Sequence, residues 1–213
     1  YTGRERRIVQ AFEQERIGFL PYEVQSCPMG EEMIYKGIGF LHHIQGGGKT
    51  VYFESDRFRI CSTDVEGEQP IVELFNLKDL GTSSSQYGGS VEGMSVSRDE
   101  TKLAIAVVDG RRAKTHHFHK SYRFQEIAVV NPDGSEFRCL TNDTFPDYDP
   151  AMSPDGRFVA FTSKRDGNKE LYVANVEDGE LKRLTHNHAE DKEPTWSPDA
   201  KKIAFVSDRD GYN

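Results

Sequence analysis

Apolar and polar positions alternate along this chain in short runs, each closed by a cluster of Gly, Pro or Asp. The clearest set begins near Asp149. Residues 149–153 form the first run, and Pro154-Asp155-Gly156 follows it, with proline pre-setting φ and glycine free of steric penalty. Residues 157–163 form the second, with Phe158, Ala160 and their neighbours choosing opposite faces. Arg165-Asp166-Gly167 leads to a third at 170–175, and Glu177-Asp178-Gly179 to a fourth at 181–184. A period of two bounded by turn residues predicts four short antiparallel strands, here called A to D from the innermost outwards.

The set repeats. Aligned 44 residues apart, residues 140–169 and 184–213 share 13 of 30 positions, where roughly two are expected from average residue usage. Leu-Thr opens each copy, followed by Asp147/Asp191, Pro150/Pro194, Ser-Pro-Asp, Ala-Phe-x-Ser and Arg-Asp-Gly. A repeat of this length built from short strands predicts a propeller blade. Ser55, Ser97, Ser153 and Ser197 end successive A strands at spacings of 42, 56 and 44. The expected fold is therefore all-β, a β-propeller of four-stranded blades with about four visible and the last incomplete.

The blade before the clearest one is expected at 94–97, 102–107, 125–131 and 136–141, with a long insertion at 109–124 between strands B and C. The first blade, 51–75, is degenerate, and its fourth strand is unclear within 82–90. The last stops in its B–C turn, so further blades are expected beyond Asn213. The competing arrangement closes a four-bladed ring with strands at 17–24 and 33–40. Ahead of these, residues 3–16 predict a short amphipathic helix with Ile8, Val9 and Phe12 on one stripe. Two regions are thus expected, an unassigned segment 1–50 and a propeller 51–213.

Blade geometry sorts the loops. In an up-and-down blade the A–B and C–D turns lie on one face of the disc, and the B–C turns and D-to-A links on the other. The Ser-Pro-Asp turns share the first face. The insertion, both Arg-Asp-Gly turns and the loops 142–148 and 186–192 share the second. Strand A lines the central channel, so Asp149 and Glu193, each directly before a proline, are expected at its mouth.

Composition narrows the partners. The chain has 213 residues, 36% hydrophobic and 29% charged, and no apolar run reaches the roughly 18 residues a membrane span needs. Its net charge of −8 repels nucleic acid and anionic lipid. Cys27, Cys61 and Cys139 show no metal-ligand or redox spacing and are expected as packing residues.

The runs at 149–173 (DPAMSPDGRFVAFTSKRDGNKELYV) and 193–211 (EPTWSPDAKKIAFVSDRDG) resemble the WD-like repeat of TolB-type β-propellers. The resemblance covers 94–213 well and 51–80 weakly. It implies a periplasmic protein whose propeller binds partner proteins at the channel mouth. The same repeat occurs in the gating propellers of prolyl-oligopeptidase-type peptidases and in pectate-degrading lyases, so it specifies fold better than function.

Candidate chemistry is sparse. Nucleophilic hydrolysis would need Gly-x-Ser-x-Gly; Gly88-Gly89-Ser90 begins it, but Glu92 stands where the closing glycine belongs. The stretch QGGGKT at 45–50 has His43 where a phosphate loop needs glycine, and an alternating strand follows it. Asp208-Arg209-Asp210-Gly211 lacks calcium-loop spacing and reads as a hairpin turn. The insertion carries Arg111, Arg112, Lys114, His116, His117 and His119. His-x-His suits zinc, copper or nickel; a basic patch docking an acidic partner or a polyanion and a solvated loop are the other readings. Asp147, Asp149, Asp191 and Glu193 recur near the channel mouth, where Asp147 and Asp191 either meet a partner or cap local turns. Met152 and Trp196, at equivalent strand-A positions, are expected between blades.

These observations predict a non-enzymatic module that binds a protein or peptide through its loop-rich face, without a cofactor or metal. The expected contact residues are Arg111, Arg112, Lys114, His116, His117, His119, Asp147, Asp149, Asp191 and Glu193. The alternative is the gating propeller of a prolyl-oligopeptidase-like serine hydrolase whose catalytic domain lies outside these residues.

Overall fold

Alternating strands joined by tight turns hydrogen-bond to their sequence neighbours, and four of them in order make one twisted blade. The computed structural model describes residues 50–55, 59–64, 70–77, 79–80, 91–108 and 125–210. The helix expected at 3–16, the strands at 17–24 and 33–40, the stretch 82–90 and the insertion lie outside them. The first sheet joins β1 (Thr50–Ser55), β2 (Arg59–Asp64) and β3 (Val72–Asn76) in that order. The second joins β4 (Val91–Val96), β5 (Leu103–Val108), β6 (Gln125–Val130) and β7 (Arg138–Cys139). The third joins β8 (Asp147–Met152), β9 (Phe158–Ser163), β10 (Glu170–Asn175) and β11 (Leu181–Arg183). A fourth pairs β12 (Asp191–Trp196) with β13 (Ile203–Ser207). All pairings are antiparallel and sequential, as a propeller requires.

Strand C of the third blade runs over the residues that the alternation predicts. Strand A does not. It begins at Asp147, two residues early, and its register slips between Tyr148 and Ala151. The cause is a bulge at Asp149, which takes a left-handed φ of 52° and interrupts the period of two. The same slip recurs between Lys192 and Thr195, with Glu193 at φ 54°.

Blades pack face to face. Ile60, Phe75 and Leu77 of the first blade cluster with Met94, Leu103 and Ile105 of the second. Ile127 and Val129 then cluster with Met152, Val159 and Phe161 of the third. Each such side chain taken fully from water contributes roughly 1.5–3 kcal/mol. Cys61 packs with Val51 and Phe53, and Cys139 lies against the first of these clusters. Met152 is buried between blades, whereas Trp196 is half-buried and donates its indole N–H to Ala151 O at 2.9 Å.

The Ser-Pro-Asp turns are explained by local hydrogen bonding. Ser153 Oγ donates to Asp155 Oδ1 at 2.6 Å and accepts the Phe158 N–H at 3.0 Å. Ser197 and Asp199 repeat both features, and Ser97 and Asp99 do so with Arg98 in the proline position. The next residue is left-handed in all three turns, with φ 69° at Gly156, 58° at Glu100 and 56° at Ala200. Only glycine adopts that conformation without steric cost. Ala200→Gly is therefore expected to stabilise the protein by about 0.5–1 kcal/mol, and Gly156→Ala to lose at least as much. Urea midpoints of the two variants check both signs.

Candidate functional site

Hydrogen bonds fix which turns share a face. The Val176 N–H reaches Arg157 O at 2.9 Å, tying the C–D turn of the third blade to its A–B turn. The Asp191 N–H reaches Lys169 O at 2.9 Å, tying the D-to-A link to the B–C turn at the opposite end. The loop-rich face is thus built from 142–146, 164–169 and 186–190, as blade geometry predicts.

A repeated ion pair anchors this face. Asp147 has no exposed surface, and Arg165 Nη2 approaches its two carboxylate oxygens at 3.2 and 3.0 Å. Arg165 also donates from Nε to Ser163 Oγ at 2.9 Å, pairs with Asp143 at 3.2 Å, and lies over the Tyr172 ring at 4.7 Å. In the next blade Arg209 meets buried Asp191 at 3.1 and 3.0 Å and Ser207 Oγ at 2.8 Å. The surroundings tune the two carboxyls in opposite directions. Burial pushes Asp147 above the ordinary carboxylate range, against the bonds from Ser163 and Arg165. At Asp191 burial opposes charge too, but Ser207, Asn187 and Arg209 together outweigh it and hold the group low.

Behind this pair lies a second repeated device. Thr141 donates to Glu126 Oε2 at 2.8 Å and accepts the Ile127 N–H at 2.8 Å, which explains the Leu-Thr that opens each repeat. Thr185 does the same for buried Glu170 and the Leu171 N–H. Glu170 further accepts from Arg183 Nη2 at 3.1 Å and from the Asn187 N–H at 3.0 Å. Burial raises the Glu170 pKa and these donors lower it; the donors prevail, so it lies below its usual value. Asn187 also donates to Asp191 Oδ2 at 2.7 Å and accepts the Ala189 N–H at 2.7 Å.

Asp149 and Glu193 differ from their buried neighbours. Their bulges lie side by side across the blade boundary, because the Thr162 hydroxyl donates to Asp149 Oδ2 at 2.9 Å and accepts the Glu193 N–H at 3.2 Å. Asp149 is half-buried, and the Glu193 side chain is 59% exposed beside Lys192 Nζ at 3.6 Å. One exposed and one half-buried acid therefore stand on adjacent inner strands.

Of the ten residues expected at the site, Asp149 and Glu193 come together on this face. Asp147 and Asp191 sit beneath it as internal ion-pair partners. Arg111, Arg112, Lys114, His116, His117 and His119 lie outside the described residues. Sequence reasoning missed Arg165, Arg209, Thr162, Glu170 and Asn187. The arginines were within reach, because Asp147/Arg165 and Asp191/Arg209 recur at one spacing of 18. The preceding blade has Val91 and Asp109 at these two positions, so acid and base are replaced together.

The opposite face holds a groove of about 770 Å³ between the second and third blades, floored by Val129, Phe137 and Val176. Within it Lys102 pairs with Glu136 at 3.6 Å and Arg138 donates to Glu177 O at 2.8 Å. Among the described residues no three His, Cys, Asp or Glu are placed to hold a metal ion, and no helix is long and apolar enough to cross a membrane.

Stacked antiparallel blades with a 44-residue repeat and strand A innermost define a β-propeller. Its repeats are TolB-like: residues 118–213 match the family model described as TolB beta propeller domain. A TolB homolog from Chlorobium luteolum is 32% identical over 116 residues, which are 54% of this chain and 24% of the relative. The chain thus matches about a quarter of that relative's length. The solved structure of a putative TolB from Agrobacterium tumefaciens superposes with a TM-score of 0.59 at 20% identity, covering 82% of this chain and 56% of that one. A puromycin hydrolase structure superposes at 0.55 with 19% identity, over 76% of this chain and 26% of its own. Both structural likenesses are likenesses of fold.

Proposed function

We propose that this TolB-like propeller binds a protein or peptide partner through its loop-rich face and performs no chemistry of its own. The observation that carries this is the contrast between the two faces. The acids of the Ser-Pro-Asp turns are engaged by their own serines and backbone N–H groups, which hold Asp155 and Asp199 below the usual carboxylate range. The loop-rich face instead presents Glu193, 59% exposed with Lys192 beside it, and Asp149, half-buried with one oxygen held by Thr162, on loops braced from beneath by Arg165 and Asn187. Loops presented by a rigid scaffold are where binding concentrates. The sequence expectation puts the basic insertion on the same face, and Arg111, Arg112, Lys114, His116, His117 and His119 are its contact candidates. An extracytoplasmic location is part of this reading and rests on the resemblance to TolB. The hydrolase-gating alternative draws on shared fold alone.

The test uses peptides recovered from a random phage-displayed library on the immobilised chain and measured by calorimetry. Replacing 111–123 by a short Gly-Ser turn, or Asp149→Asn with Glu193→Gln, is expected to weaken the peptides, whereas Asp155→Ser with Asp199→Ser leaves them bound. Loss of binding in the last variant alone, with all variants folded, overturns the assignment.

A further inference from the structure

Phe145 stands out against its own repeat. The Asp143 carboxylate accepts the Phe145 N–H at 2.8 Å, forming a tight side-chain-to-backbone turn. Forty-four residues on, Asn187 Oδ1 accepts the Ala189 N–H at 2.7 Å in the same turn. The turn is therefore made equally well with a methyl group at this position, and an aromatic ring is not needed to build it. Phe145 nonetheless leaves 42% of its surface exposed on the loop-rich face. Its mount is stiff, because Arg165 ties Asp143 to the blade at 3.2 Å and Pro146 follows directly. Four residues further along the chain is Asp149, linked through Thr162 to the bulge of Glu193.

We propose that Phe145 is the apolar anchor of this face, for an extended peptide segment pairing an aliphatic or aromatic side chain with a nearby lysine or arginine. The inference rests on the preceding reading and names the chemistry of its partner. A rigid aromatic on a braced loop loses little conformational freedom when it is covered, which is why such residues dominate interface energetics. The cationic half follows from charge complementarity. Asp149, four residues on from the anchor, and Glu193, 59% exposed on the adjacent inner strand, are acids of the same face, in a chain of net charge −8. A peptide carrying a basic residue gains from both.

The experiment selects peptides from the same random library on the wild-type chain and compares Phe145→Ala, Phe145→Leu and Asp149→Asn/Glu193→Gln by calorimetry. Recovered sequences are expected to place Lys or Arg near an apolar residue. Phe145→Ala is expected to weaken them about tenfold or more, Phe145→Leu to retain most of the affinity, and both to keep the wild-type melting temperature. The acid pair is expected to weaken basic peptides and to leave neutral apolar ones unchanged. If peptides are recovered and depend on the insertion or the acids while Phe145→Ala binds as tightly as wild type, the anchor is wrong and the loop-rich face stands. If no peptide is recovered, or if binding fails only in Asp155→Ser/Asp199→Ser, the underlying reading fails and the anchor with it.

Discussion

Arg165→Met is expected to destabilise the protein by about 3–5 kcal/mol, because it leaves the Asp147 carboxylate buried without its counter-charge. Asp147 has no exposed surface and Arg165 only 15%. The substitution also removes the cation stacked over Tyr172 and the donor to Ser163. The equivalent Arg209→Met is expected to cost less, about 1–2 kcal/mol. Arg209 is 48% exposed, and Asn187 remains to donate to Asp191. pH separates the two further. Asp147 is already raised by burial and rises again without Arg165, so folding takes up a proton there. Linkage then makes the Arg165→Met variant recover as pH falls from neutrality towards the carboxylate range. Asp191 is held low, so its contribution is present above the ordinary value of 3.8 and is lost as pH falls through the folded value. Urea unfolding of both variants at neutral and mildly acidic pH checks the order and the slope. Equal losses at the two sites would show that burial does not govern the pair.

Gly93→Val tests the contact between inner strands and is expected to cost about 1–3 kcal/mol through overpacking. A β-carbon at position 93 would lie 2.8 Å from Cδ and 3.4 Å from Cγ of Pro150 in the next blade. Pro150 is buried within β8, and its ring cannot swing away as a flexible side chain would. Position 93 corresponds to Asp149 at the inter-blade spacing of 56, so a glycine here makes room that the later blade does not provide. Pro150→Ala opens the same space from the other side. In a double-mutant cycle it is expected to relieve part of the Gly93→Val loss. Strict additivity in thermal unfolding would place the strain elsewhere.

The blade pattern was legible because turn residues and period-two alternation are local, and the repeat shows them twice. Glu170–Asn175 runs where alternation placed it. The start of β8 was not legible, since a left-handed residue before proline breaks the period that would reveal it. Asp147 and Asp191 were visible as recurring acids, but their burial was not. Whether an acid faces solvent or an arginine 18 residues later is decided by how B–C turns fold back over strand A. Asp149 and Glu193 show the converse, since their placement on neighbouring inner strands followed from topology alone. Thr162 was hidden because its partners sit on two different blades. Phe145 was hidden because a single exposed aromatic is unremarkable until Ala189 is seen in the same turn.

The central claim is that the loop-rich face is the binding face, and hydrogen–deuterium exchange with a selected library peptide tests it most directly. Slowed exchange on peptide addition is expected at 142–148 and 186–193, with 97–101, 153–157 and 197–201 unchanged. Protection confined to those Ser-Pro-Asp and Ser-Arg-Asp turns, with none at 142–148 or 186–193, would contradict it.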